Sequence, residues 1–135
     1  FKFQMQEIGR FVNVPIEEYH QRLTAAASDP SHLSIVVSYG GRGTVIPEIV
    51  KILKNNRSPI LLITSTDAIP FAGAATHHLY MSSNESHYNK ISSFSTRLSL
   101  LFLLDCLYTS YFKLDYDHNV AMKMDYYKKI SRITW

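Results

Sequence analysis

A single cysteine, Cys106, is all the chain has, which rules out an internal disulfide and a cysteine-based zinc site and fits a reducing compartment. It lies among Leu103, Leu104 and Leu107, where a small buried hydrophobe is expected. Proline and glycine are also scarce, five of each, and no tract of either suggests a linker or a disordered segment. No internal repeat is visible. Charged residues make up only 19% of the chain, and apart from the tail at 123–132, where Lys and Arg alternate with Asp and Tyr, the basic ones are dispersed. A clustered basic face or a helix-turn-helix pattern, either of which a DNA-reading domain would carry, is missing. The longest apolar run, 98–108, contains Asp105 and is flanked by Arg97 and Lys113, well short of the ~20 residues a membrane span needs. No signal peptide is evident, so a cytoplasmic chain without membrane contact is expected.

What is present is the composition of a packed domain. Apolar residues reach 46%, and 135 residues suit one core, so residues 1–135 are read as one domain. The chain opens on Phe1 with a stretch of helical character and no cap before it, which reads as a start partway into the domain. Gly9 suits the left-handed position after that helix. Residues 11–14 read as a strand, 16–27 as a helix, and 33–38, rich in β-branched residues, as a second strand. A helix is expected over 44–55, where Ile46, Ile49, Val50 and Leu53 line one face. The run Ile60-Leu-Leu-Ile-Thr64, apolar without alternation, predicts a parallel strand covered on both sides. A short turn at 68–75, a strand at 78–81, a long helix over 88–111 and a weakly helical tail complete the chain. Alternating strands and helices imply an α/β fold with right-handed crossovers and a doubly wound parallel sheet. The long helix is apolar on two sides, since Phe94, Leu98, Leu101 and Leu104 do not share a face with Leu100, Leu103 and Leu107. Two partners are expected for it, the sheet and a second subunit.

The strongest chemical signal is the strand-turn-helix Ile35-Val-Val-Ser-Tyr-Gly-Gly-Arg-Gly-Thr44. Its glycines let backbone N–H groups approach an anion while the following helix N-terminus adds partial positive charge, and the turn lies at the carboxyl end of a strand, where ligands bind in open α/β sheets. The same glycines equally serve a tight turn for geometry alone. Gly-x-x-x-x-Gly-Lys-Ser/Thr is absent, and Gly41-x-Gly43 by itself does not make a dinucleotide site. His77 and His78, adjacent in a strand, point to opposite faces and do not suit a shared metal. No metal and no cofactor are expected.

Ser38-Tyr39-Gly40-Gly41, followed by a helix and Ile60-Leu-Leu-Ile-Thr64, resembles the Ser-Tyr-Ser-Gly-x-Thr segment and following strand of sugar isomerase (SIS) domains. Residues 83–108 resemble the Glu-Ser…Ser-Arg…Leu-Phe-Leu-Asp-Leu-Leu-Tyr pattern of RpiR-like transcriptional regulators. The resemblance implies a three-layer, flavodoxin-like doubly wound sheet whose first strand lies outside this chain. It also implies a homodimer, a phosphorylated sugar effector, and DNA contacted only through an N-terminal helix-turn-helix domain not contained in this sequence. By position, Ser38, Tyr39, Gly40, Gly41, Arg42, Gly43 and Thr44 would form the phosphate turn, with Glu85 near the sugar. Gly40 and Gly43 stand where the family has a second serine and a threonine, and Thr44 comes one position late. Arg42 could supply a charge-assisted contact instead, or be a solvated turn residue. An isomerase would need a positioned base, for which Glu85 and His87 are the candidates, although Asn84-Glu-Ser also makes a good helix entry. The expected role is that of a non-catalytic sensor, the alternatives being an isomerase or a module that only dimerises.

Overall fold

A computed structural model of the chain describes residues 1–66, 69–82, 85–86, 88–89 and 91–132. In chain order the elements are α1 (Lys2–Gln6), α2 (Glu18–Ala26), β1 (Ser34–Val37), α3 (Ile46–Asn55), β2 (Ile60–Thr64), a 3-10 turn (Ala72–Ala74), β3 (His77–Tyr80), α4 (Phe94–Leu114) and α5 (Tyr116–Ser131). Contacts group them into two compact units, Pro15–Ser99 in one and Phe1–Val14 with Leu100–Trp135 in the other.

The first unit holds a parallel sheet in the order β1-β2-β3, with Ser34 paired to Ile60 and Leu61 to His77. All five β2 residues are buried, as the unalternating apolar run requires of a central strand covered on both faces. Ile60 and Leu62 pack with Val50 and Leu53 of α3, Ala25 of α2, and Ile69 and Phe71 from the segment after β2. The apolar stripe of α3 is therefore what seats that helix on the sheet. Asn56, just beyond α3, donates from Nδ2 to the carbonyls of Ala25, Ala26 and Ser28, each at 3.1 Å. It thereby serves the last two carbonyls of α2, Ala25 and Ala26, and that of Ser28 just beyond the helix.

The expected strand at 11–14 does not form. Those residues are irregular, with Phe11 at 87% exposure. β-branched and aromatic residues favour extended backbone, but a strand exists only when a neighbour takes up its N–H and C=O groups, and the described sheet offers these residues none. The long helix begins at Phe94 rather than near Tyr88. Cys106 is exposed rather than buried. Phe94, Leu98, Leu101 and Phe102 of the same helix are also more than half exposed. The tail is a 16-residue helix, not a weak one. Among the described residues, no helix is long and apolar enough to cross a membrane.

In the second unit Gly9 takes φ +70°, and its N–H and that of Arg10 close on the carbonyls of Gln6 and Met5 at 3.0 and 2.9 Å. Asp105, the acid inside the apolar run, accepts a 3.0 Å bond from Gln4 Nε2. Glu7 receives Lys123 Nζ at 2.7 Å and the Tyr127 hydroxyl. Burial would raise the Glu7 carboxyl, but hydrogen bonds from Lys123 and Tyr127, with the charge of Lys123, outweigh it and hold the group below its ordinary value. The bond to Glu7 in turn raises Lys123 and Tyr127. A lowered carboxyl contributes stability above its unfolded value of 4.5 that is lost as pH falls through the folded one, whereas the raised Lys and Tyr lose theirs only in alkali. Melting curves from pH 7 to 3 should therefore show Glu7→Gln less stable than wild type near neutrality and converging with it below about pH 4.5. A constant gap across that range would mean that the ion pair contributes nothing.

Candidate functional site

The turn after β1 is built by the sheet. Beyond Val37 the chain stays zipped to β2: Ser38 N–H donates to the Ile63 carbonyl at 2.9 Å, and the Tyr39 carbonyl accepts both the N–H and the hydroxyl of Ser65, at 2.9 and 2.7 Å. Only then does it reverse. Gly41 does so at φ +68°, and its N–H donates to Ser38 Oγ at 3.2 Å. A side chain has no room there, since a β-carbon on Gly41 would lie 2.5 Å from Ile69 Cγ2. The glycine is required both by its backbone and by the core residue beneath it.

The turn then runs into α3 with Val45 at the cap position, and no side chain caps the helix. Pro47, in the first turn, lacks an N–H to offer. Ser38, Tyr39, Gly40 and Gly41 are half-buried, while Arg42, Gly43 and Thr44 are exposed. The result is a partly exposed turn leading into a helix N-terminus, with a serine hydroxyl closing it through the Gly41 N–H. A hydroxyl that accepts one bond still has a proton to donate, so Ser38 can brace the turn and bind an anion at once.

Arg42 is held on the Tyr88 side. Its Nη1 donates to the Tyr88 hydroxyl at 3.2 Å, and the guanidinium carbon lies 5.5 Å from the ring centroid. Glu85 is brought to the turn through its main chain, where its carbonyl accepts the Tyr39 hydroxyl at 2.5 Å. Its carboxylate is turned to α4: Oε1 accepts the Thr96 N–H at 3.0 Å and Oε2 the Thr96 hydroxyl at 2.5 Å. Asn84 and His87, the other residues of interest in that loop, lie outside the described residues.

Beneath the turn, Thr64 is fully buried and its hydroxyl donates to the Thr66 carbonyl at 2.5 Å. His78 Nε2 stands 2.7 Å from the same oxygen. With the hydroxyl proton committed to Thr66, His78 must be the donor, so its Nε2 carries hydrogen. His77, next along the strand, is exposed where His78 is half-buried, as the alternation of a strand requires. Among the described residues no three His, Cys, Asp or Glu side chains are grouped as metal ligands would be. Ser65, Thr96 and Tyr88 are the site's contributors that sequence reasoning missed. Each touches a predicted residue from more than ten positions away, and a Ser/Thr-rich helix start at 92–96 was the only local hint.

A search of curated proteins finds no match. Among solved structures, the Vibrio vulnificus NanR protein complexed with ManNAc-6P superposes with a TM-score of 0.82 at 16% identity, over 98% of this chain and 50% of that one. The sugar isomerase domain of an RpiR transcription factor from Sphaerobacter thermophilus gives 0.75 at 16%, over 97% of this chain and 69% of that one. A putative sugar-phosphate isomerase from Listeria monocytogenes gives 0.68 at 15%, over 83% and 59%. This chain thus spans half the length of the NanR protein. At such identities the likeness establishes the fold, which agrees with the parallel α/β architecture expected from the sequence. Family membership rests on the sequence itself: the SIS domain model matches residues 1–110, a span that contains the whole sheet, the 38–44 turn and Glu85, and the chain therefore belongs to the SIS domain family.

Proposed function

We propose that this chain is the effector-binding domain of an RpiR-type transcriptional regulator and that it takes a phosphorylated sugar on the 38–44 turn. The observation that carries the reading is the turn itself, in which Gly41 at φ +68° closes on Ser38 and leads into a helix whose N-terminus no side chain caps. The helix dipole at such a place favours a phosphate. The similarity to a NanR protein complexed with ManNAc-6P and to the sugar isomerase domain of an RpiR transcription factor supports the same ligand class and the same kind of protein. Dimerisation through α4 is part of the proposal, supported by the exposed Phe94, Leu98, Leu101 and Phe102, as is DNA binding through a separate helix-turn-helix domain in the cytoplasm.

Isomerisation is the second reading, favoured by the likeness to the Listeria protein. It needs a base aimed at a substrate carbon, and the Glu85 carboxylate is already engaged by two donors of Thr96, so a sensor without turnover is the preferred reading.

Thermal-shift screening of phosphorylated sugars and amino sugars, N-acetylmannosamine 6-phosphate among them, tests the proposal, with the unphosphorylated sugars as controls. A ligand at 100 times its dissociation constant should stabilise the fold by about 2.7 kcal/mol. Ser38→Ala removes one hydrogen bond to a charged group, about 1.5–3 kcal/mol, so calorimetry should show affinity falling roughly 10- to 100-fold. Equal binding of phosphorylated and unphosphorylated sugars, or an unchanged affinity in Ser38→Ala, would overturn it.

A further inference from the structure

We propose that Glu85 is a positioning residue that ties the 38–44 turn to the first turn of α4, so that an anion held on the turn stabilises the start of that helix. Its ligand arm rests on the phosphate reading above; its structural arm does not.

Three hydrogen bonds converge on this one residue. Tyr39, whose own carbonyl is fixed by Ser65, reaches the Glu85 carbonyl with its hydroxyl at 2.5 Å. Thr96 engages both carboxylate oxygens, at 3.0 Å through its N–H and 2.5 Å through its hydroxyl. Thr96 is the third residue of α4. Its N–H is one of the four first-turn donors that a helix cannot satisfy internally, and a carboxylate there is also favoured by the helix dipole. Most helices satisfy such donors with a side chain at their own N-cap. Here the acceptor comes from a residue eleven positions upstream, whose place is set by a tyrosine of the ligand turn. Capping of α4 therefore depends on where the turn holds Tyr39, which a local cap would not.

Two further hydrogen bonds at the start of α4 do not involve Glu85. Ser82 N–H donates to Ser99 Oγ at 2.8 Å and Ser95 Oγ to Ser82 Oγ at 3.0 Å. These bonds keep the start of α4 in place when the tie is cut, so variants at Thr96 should fold. A ligand shifts an equilibrium only as far as it interacts differently with the two states. Here the states are α4 with its first turn capped or frayed, and the difference is the Tyr39 hydroxyl, which a rigid turn presents and a mobile one does not.

Hydrogen exchange read by mass spectrometry on the whole chain, in phosphate-free buffer with and without inorganic phosphate, tests the tie. In wild type, phosphate should slow exchange both at 38–44 and at 94–97. Thr96→Val removes the hydroxyl bond to Oε2 while the N–H of residue 96 keeps Oε1, so it should speed exchange at 94–97 several-fold, retain phosphate protection at 38–44 and weaken its passage to 94–97. Thr96→Ser keeps the hydroxyl and should restore both effects. Protection at 38–44 in wild type with none at 94–97, or transmission undiminished in Thr96→Val, would overturn the proposal. Should phosphate protect neither segment, the phosphate reading fails and Tyr39→Phe without ligand decides the tie: faster exchange at 94–97 upholds it and unchanged exchange refutes it.

Discussion

Gly41→Ala is expected to destabilise the fold by about 2–5 kcal/mol and to abolish phosphosugar binding with it. Two costs combine. The backbone at φ +68° costs an L-residue about 1–2 kcal/mol. The new methyl would stand 2.5 Å from Ile69 Cγ2 and 3.0 Å from Ile69 Cβ, and crowding of that kind in a packed core costs about 1–3 kcal/mol. Ile69 is 8% exposed and belongs to the core that holds α3 on the sheet, so it cannot simply move aside. Relief must come from the turn, which would pull the Gly41 N–H away from Ser38 Oγ. Gly73→Ala is the control, because a β-carbon there meets nothing within 4 Å and its φ is not in the left-handed range. Denaturant titration of the two variants should separate them by at least about 2 kcal/mol. Equal midpoints would mean that the turn does not adopt this conformation in solution.

Leu62→Ala should cost about as much, roughly 2–5 kcal/mol, by leaving a cavity rather than by strain. Leu62 is 1% exposed at the centre of β2, in the cluster formed with Val50, Leu53, Ile69 and Phe71. Those neighbours come from a helix and a connecting segment that are each held by other contacts, so the space cannot close fully. In dilute protein, where the chain is monomeric, Leu98→Ala removes the same atoms from a side chain 68% exposed and should stay within about 0.5 kcal/mol of wild type. A large loss at Leu98 would instead mean that this face of α4 is covered in solution, as the proposed dimer requires, and it should then depend on protein concentration.

The parts of the fold that could be read from sequence are those whose signal is local. β2 announced itself by five apolar or β-branched residues without alternation, and α3 by its 3.6-residue stripe; both formed within two residues of where they were expected. The 38–44 turn was legible for the same reason, since glycine at a left-handed position is a property of the residue. What failed depended on partners. Residues 11–14 have strand propensity, but nothing in four residues says whether a neighbour is there to pair with. Cys106 sits in a helix apolar on two sides, and such a pattern does not reveal which side is covered. The engagement of Glu85 with Tyr39 and Thr96 was hidden likewise, because the atoms that fix it are spread from 39 to 96.

The parallel sheet also favours one order of assembly. Leu61 pairs with His77, sixteen positions on, whereas Ser34 must find Ile60 at a separation of twenty-six. Closing the longer loop costs about 0.4 kcal/mol more entropy, and it is useful only once α3 has docked to cover the join. Folding should therefore run from the carboxyl side of the sheet toward β1, with the β2–β3 pair in the nucleus and the ligand turn, which needs β1 in register, among the last features to appear. Substitutions in β3 should slow refolding, while those in β1 should chiefly hasten unfolding.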